Sequence, residues 1–282
     1  MIVTGRNPHR LAAARAALER RVPEAGTDKR VETLLLDTSN LGSVRAAAAS
    51  VRARKKLHGL LLNAGIVHPP KTRETTMDGH ELVFATNVLG HFTLAGEMLT
   101  PLAAALGRMV WLGSMSTSLW RYPIDDPQLV DGYTPWRAYV QSKIATTTLG
   151  LEADRRLRAA SIPVASVVAH PGYSVSGRTV GIRGVNEPKR RTRFADNLQT
   201  PFTQSKQDGA RTLVRALIDP GITSGEYWGP RAIAKGEPHR QKPPRVARDA
   251  ELGARLWSLA EDATGVQWPQ LPGQRRKSGR RR

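Results

Sequence analysis

The chain of 282 residues contains no cysteine, which removes disulfides, thiolate metal ligands and thiol nucleophiles and fits a reducing compartment. No apolar run approaches the roughly 18 residues that a membrane-crossing helix needs, and the N-terminus lacks a basic-then-apolar signal pattern. These absences give the expectation of a cytoplasmic protein with no membrane span. Aromatic residues make up only 5% and do not interleave with basic ones as in a single-strand nucleic-acid platform. Acid is also scarce: 24 Asp and Glu face 43 Lys and Arg, a net charge of +19. Residues 178–193 contribute +5 and residues 272–282 contribute +6, and both stretches read as loop or tail. Charge concentrated in solvated segments argues against nucleic acid as the main partner.

Short β-type runs alternate with longer Ala- and Leu-rich helical patterns, the signature of a parallel sheet with crossover helices. Strands are expected at 2–4, 31–37, 58–65, 108–114, 163–172 and 224–229. Helices are expected at 9–22, after an N-cap at Ser39 or Asn40, across 80–106 with breaks at Gly90 and Pro101, and at 136–159, 205–218 and 248–262. Residues 177–203 are polar and punctuated by Gly and Pro, so a loop or lid is expected there. The fold class is α/β, a Rossmann-like doubly wound parallel sheet, with one domain over 1–264 and a basic, disordered tail over 265–282.

Chemistry concentrates at Tyr139 and Lys143 in "YVQSK", with Ser114 at a strand end 25 residues earlier. Positions i and i+4 share one helix face, which brings the ammonium toward the phenol oxygen. Such a field lowers the phenol pKa and suits Tyr to proton transfer near neutral pH, while Ser114 hydrogen-bonds a substrate oxygen. Alone, a Tyr-x-x-x-Lys pair reads as ordinary helix surface. His68, His80 and His91 lack metal-ligand spacing, so no metal is expected. Asp125 and Asp126 read as solvated loop carboxylates. Trp120 and Trp136 flank the segment before Tyr139 and read equally as pocket lining or packing.

The pair does not stand alone. "NAG" (63–65), "ATN" (85–87), "LGS" (112–114) and "HPG" (170–172) follow in order at strand ends and on a helix. In that sequence they resemble the short-chain dehydrogenase/reductase family, over about residues 1–262. "RNP", "AYVQSK", "AHPGYS" and "GEYWGP" are most similar to its retinol-dehydrogenase-like bacterial members.

The resemblance implies Tyr139 as catalytic acid/base, Lys143 as the residue that lowers its pKa and binds nicotinamide ribose, and Ser114 as the carbonyl-polarising hydroxyl. It implies that Asn87 anchors a proton-relaying water. Asn63, Ala64 and Gly65 match the turn beside the adenosine half of the cofactor, and Asp37 matches an acid that contacts adenine. Pro171 and Gly172 match the turn flanking nicotinamide, with Ser176 in place of the usual Thr at the carboxamide. Each also has a local reading: Asp37 as a cap, Asn63 as a turn residue, Asn87 as an interior amide. Commonly dimeric or tetrameric relatives imply a homo-oligomer.

The opening "MIVTGRNPHR" departs from the family pattern. Its Thr-Gly is followed by Arg, Asn, Pro and His, where the family's phosphate loop needs further glycines. Arg6 precedes Asp37 by 31 residues, room for one helix and one strand. The opening is therefore expected to be the family's second strand, which places Arg6 where NADP-preferring members carry a base for the adenosine 2′-phosphate, NAD being the other choice. The fold is then truncated by its first βα unit. Either some 30 residues lie upstream of the stated start, or the chain is a divergent member with weak cofactor binding. Loss of the central strand leaves two unpaired edges or forces re-pairing. The expected function is an NADP-dependent oxidoreductase interconverting an alcohol and a carbonyl on an apolar small molecule. The alternative is a non-catalytic interaction or regulatory relative.

Overall fold

Residues 1–21, 31–119 and 124–268 are described by the computed structural model. Strands and helices alternate from the start: β1 (Ile2–Gly5), α1 (Pro8–Arg21), β2 (Glu32–Leu35), α2 (Leu41–Arg52) and β3 (Gly59–Leu62). Helix α2 starts where the sequence has its cap, with the Asn40 side chain accepting from Ser43 N. Next, α3 (Leu82–Phe84), a π-helical turn (Ala85–Leu89) and α4 (Gly90–Glu97) run on without a break, followed by α5 (Leu99–Ala103), β4 (Arg108–Leu112) and α6 (Ser116–Leu119). The long α7 (Pro135–Ala159) opens with Pro at its first position behind a Thr134 cap. Then come β5 (Ala165–Ala169), β6 (Ser174–Val175), α8 (Arg190–Leu198), β7 (Gln204–Ser205), α9 (Lys206–Ile218), β8 (Tyr227–Pro230), β9 (Pro238–Gln241) and α10 (Ala250–Thr264).

The main sheet has the order β3-β4-β5-β8-β9, parallel throughout except for β9, which runs antiparallel to β8. Its strands alternate between two covered faces, as parallel strands must. Met109, Trp111 and Val168 pack toward α7 with Ile144 and Leu149. Val110, Val167 and Ala169 pack toward Leu213 and Ala216 of α9. Beyond α7, Phe92, Trp257 and Trp268 form an aromatic knot, with ring centroids 4.8–5.4 Å apart. Arg156 lies 4.6 Å over the Trp257 ring and is paired with buried Glu152 at 2.7 Å.

Strands β1 and β2 form a separate parallel pair, in register Ile2 with Glu32 through Gly5 with Leu35. No described strand bonds the other edge of β1 or of β3, so the sheet is in two pieces. Of the two outcomes foreseen, unpaired edges and re-pairing, the structure has the unpaired edges. The small piece is held through its helix. Leu94 of α4 packs against both the main core and the cluster of Leu36, Val44 and Ala47. Arg52 of α2 pairs with Glu97 of α4. The close approach also requires a glycine, because a Cβ on Gly90 would lie 2.0 Å from the Thr38 carbonyl oxygen.

Two expectations need correcting. The span 177–203 is not all loop: it contains α8, whose period escaped notice because only Phe194, Ala195 and Leu198 in it are apolar. The expected tail does not begin at 265, since Val266 and Trp268 are buried in the aromatic knot. Their indole and isopropyl surfaces supply core that α10 alone would leave open. Residues 269–282 and Trp120 lie outside the described residues.

Candidate active site

Parallel strands place their C-terminal ends along one rim, and in open α/β sheets that rim is where ligands bind. Arg6 follows β1, Asp37 follows β2, Asn63–Gly65 follow β3, Ser114 follows β4 and Pro171–Ser176 follow β5. The sheet therefore gathers residues scattered over 170 positions of sequence onto a single edge.

At its centre the Tyr139 hydroxyl donates to Ser114 Oγ at 3.2 Å. Ser114 is buried and fixed by Ser116, whose backbone N–H and hydroxyl both donate to the same Oγ, at 3.2 and 2.9 Å. Lys143, one turn beyond Tyr139 on α7, is buried and donates from Nζ to the Leu112 carbonyl at 2.9 Å. Burial pushes its ammonium down to about 8. The phenol departs from expectation. Burial raises the Tyr139 pKa, and the Ser114 hydrogen bond only partly offsets that. The expected lowering by Lys143 is not seen, because the ammonium is engaged with the β4 backbone instead of the phenol oxygen.

Asn87 sits in the π-helical turn, a helix defect common at functional sites. Its amide clamps the backbone of Ile66, accepting from the N–H at 2.7 Å and donating to the carbonyl at 3.1 Å. It also donates to Ser142 at 2.9 Å, and its carbonyl accepts from Thr146 at 3.0 Å. Its side chain thus fixes the turn after β3, the interior-amide reading. Upstream, the buried Glu81 carboxylate caps this helix by accepting from Val83 and Phe84 N–H at 2.9 and 2.7 Å. Ser116, Ser142, Thr146 and Glu81 were missed in the sequence. The signal for them was spacing, with Ser116 two after Ser114, and Ser142 and Thr146 on either side of Lys143.

At the other strand ends, Asn63, Ala64 and Gly65 are exposed at the rim, as is Arg6. Asp37 is not the helix cap, a place Asn40 takes; one of its carboxylate oxygens accepts from Ser39 N at 2.9 Å and from Ser39 Oγ at 2.6 Å. After β5, Gly172 has φ +62°, and a Cβ there would lie 2.2 Å from the Ala234 carbonyl oxygen, so the turn needs glycine. His170 holds that turn: Nδ1 accepts from Gly172 N–H at 3.2 Å, and Nε2 lies 3.1 Å from Gln241 Oε1 on β9. Burial lowers its pKa, which keeps the ring neutral and suited to this donor–acceptor pair. Ser176 is half-buried beside it, and Trp136, partly exposed, has its ring 5.9 Å from that of Tyr139.

The residues fit a nicotinamide dinucleotide at two of its three parts. Lys143 has three donors and one backbone acceptor, which leaves hydrogen-bonding capacity for ribose hydroxyls. Arg6 and the 63–65 turn, exposed at the rim, would meet the dinucleotide's adenosine end. Among the described residues no glycine-rich turn stands at a helix N-terminus to cradle the pyrophosphate; α1 starts instead with Asn7 accepting from Arg10 N–H at 3.0 Å.

A sheet of this topology with a Ser, Tyr and Lys at its rim accords with a class that oxidises CH–OH groups or reduces the corresponding carbonyls. The sequence model of the family described as short chain dehydrogenase matches residues 1–180, and the chain belongs to that NAD(P)-using oxidoreductase family. Polyprenol dehydrogenase of Mus musculus is 32% identical over 280 residues, covering 94% of this chain and 76% of that protein. Retinol dehydrogenase 12 of Homo sapiens is 29% identical over 240 residues, covering 83% and 69%. A crystal structure of an uncharacterized protein from Mycobacterium paratuberculosis superposes with a TM-score of 0.70 at 31% identity, covering 95% of this chain and 94% of that one. Among the described residues no helix is long and apolar enough to cross a membrane.

Proposed function

We propose that the protein is an NADP-dependent oxidoreductase that interconverts an alcohol and a carbonyl on an apolar molecule, with Tyr139 as acid/base. The observation that carries this reading is the Tyr139–Ser114 hydrogen bond with buried Lys143 one turn away. A substrate oxygen seated at Ser114 Oγ reaches the phenol proton within hydrogen-bond distance. The raised phenol pKa favours the protonated form, which suits donation to a carbonyl oxygen as it becomes alkoxide. Ser114, steadied by Ser116, polarises that carbonyl. Lys143 supplies positive charge and ribose donors, and Asn87 and Glu81 hold the supporting helix in place. When bound, the nicotinamide cofactor supplies or accepts the hydride. Pro171, Gly172 and Ser176 would flank its nicotinamide end and Asn63–Gly65 its adenosine end, with the second carboxylate oxygen of Asp37 toward the adenine. Exposed Arg6 would meet a 2′-phosphate and favour NADP over NAD. Relatives named for polyprenol and retinol support an isoprenoid alcohol or its aldehyde as substrate.

The test is NADPH oxidation with retinal or a polyprenal. Tyr139→Phe is expected to lower kcat by about a hundredfold or more while leaving NADPH affinity within a few-fold. Full activity in that variant overturns the role of Tyr139. The unpaired edges of β1 and β3 favour a second reading, a non-catalytic interaction or regulatory protein. A folded chain that binds neither NADPH nor NADH at millimolar concentration selects that reading.

A further inference from the structure

Helix α8 turns its apolar side chains away from the protein. Its inner side is docked on the chain after β6: the Asp196 carboxylate accepts from Gly177 N–H at 2.6 Å, and Arg193 donates to the Gly177 carbonyl at 3.4 Å. At 3.6 residues per turn, Phe194 and Leu198 project from the opposite side. Phe194 is 68% exposed, and Leu198 and Phe202 are each 69% exposed. An amphipathic helix ordinarily buries such a stripe against the core.

The surroundings say what this stripe fits. Arg183, Lys189, Arg190 and Arg191 are exposed, and none forms an ion pair among the described residues. Residues 178–193 carry a net charge of +5. A second copy of the same surface would bring two such charges together and repel. A lid over substrate would turn Phe194 and Leu198 inward, and they point outward. Apolar side chains ringed by unpaired cations match the boundary between anionic headgroups and acyl chains.

We propose that α8 is a membrane-surface helix that seats Phe194, Leu198 and Phe202 in an anionic bilayer, with Lys189, Arg190 and Arg191 on the headgroups. The chain then lies on the membrane without crossing it. Because α8 is tied to Gly177, next to Ser176, this brings the chain after β6 close to the bilayer. Any consequence for catalysis rests on the apolar substrate proposed above; the docking itself does not.

The test is flotation of the full chain with vesicles of phosphatidylcholine plus phosphatidylglycerol, and with phosphatidylcholine alone, without cofactor or substrate. Binding is expected only to the anionic vesicles and is expected to weaken with salt. The double variant Phe194→Ser, Leu198→Ser keeps every charge and is expected to lose about tenfold or more in partitioning at unchanged thermal stability. Failure of the wild type to float overturns the proposal. So does undiminished flotation of the variant, which would assign binding to the arginines of 273–282. A dimer that the two substitutions dissociate, with no flotation, overturns it in favour of a second copy.

Discussion

The two-stranded and five-stranded sheets follow the same β-α-β rule but differ in cover. In β4 and β5 seven of ten residues are buried and none is exposed, because α7 and α9 close both faces and each strand has two neighbours. In β2 burial alternates, and Leu35 is 57% exposed although it belongs to an apolar run. Runs such as "LLLD" and "LLLN" look alike in sequence. Each run has one paired edge, yet Leu35 is exposed whereas Leu61 packs on the cluster of Leu213 and Ala216, because α9 covers that face of β3.

Amide exchange breaks the comparison most widely. The amides of Val167 and Val168 are expected to exchange at least about a thousandfold more slowly than the outward amides of β1 and β3, since the latter open without global unfolding. Equal protection would mean that something pairs those edges in solution. Core substitutions come next. Trp257→Ala is expected to cost about 3–5 kcal/mol in the aromatic knot, against about 2 kcal/mol for Leu36→Ala in the small cluster, both from denaturant melts. Gly90→Val tests the joint between the pieces. Its clash with Thr38 is expected to cost about 3 kcal/mol and to raise exchange in β1–α2 more than in β5.

Per pH unit, acid gives a smaller effect. His91 of α4 is fully buried beside Lys143, and burial holds its pKa down to about 3. Unfolded His91 takes up a proton as pH falls through 6.5, while the folded ring stays neutral to about 3. Stability therefore falls with acidification across that window, and His91→Asn is expected to flatten the decline by about 1.4 kcal/mol per pH unit. The smallest effect is Arg52→Gln, which removes a half-exposed ion pair and is expected to cost about 0.5 kcal/mol.

Much of this was legible because burial writes itself into periodicity. Helix α7 was expected at 136–159 and lies at Pro135–Ala159, and the rim residues were placed by strand ends together with the resemblance to the short-chain dehydrogenase/reductase family. Three things were not legible. Helix α8 is nine residues long and sets only Phe194, Ala195 and Leu198 among polar and basic neighbours, too few apolar positions to stand out from the surrounding loop. Strand β9 is Pro-His-Arg-Gln, an edge whose pairing is decided by β8. The engagement of Lys143 with Leu112 depends on how α7 settles on β4, which no spacing within "YVQSK" encodes.

Strand β9 also carries a practical consequence. Gln241 lies 71 residues beyond His170, yet it is the partner that orients the ring holding the Gly172 turn. An engineer who trims, fuses or recodes that polar edge, taking it for dispensable surface, is editing the contact that holds the Gly172 turn at the rim.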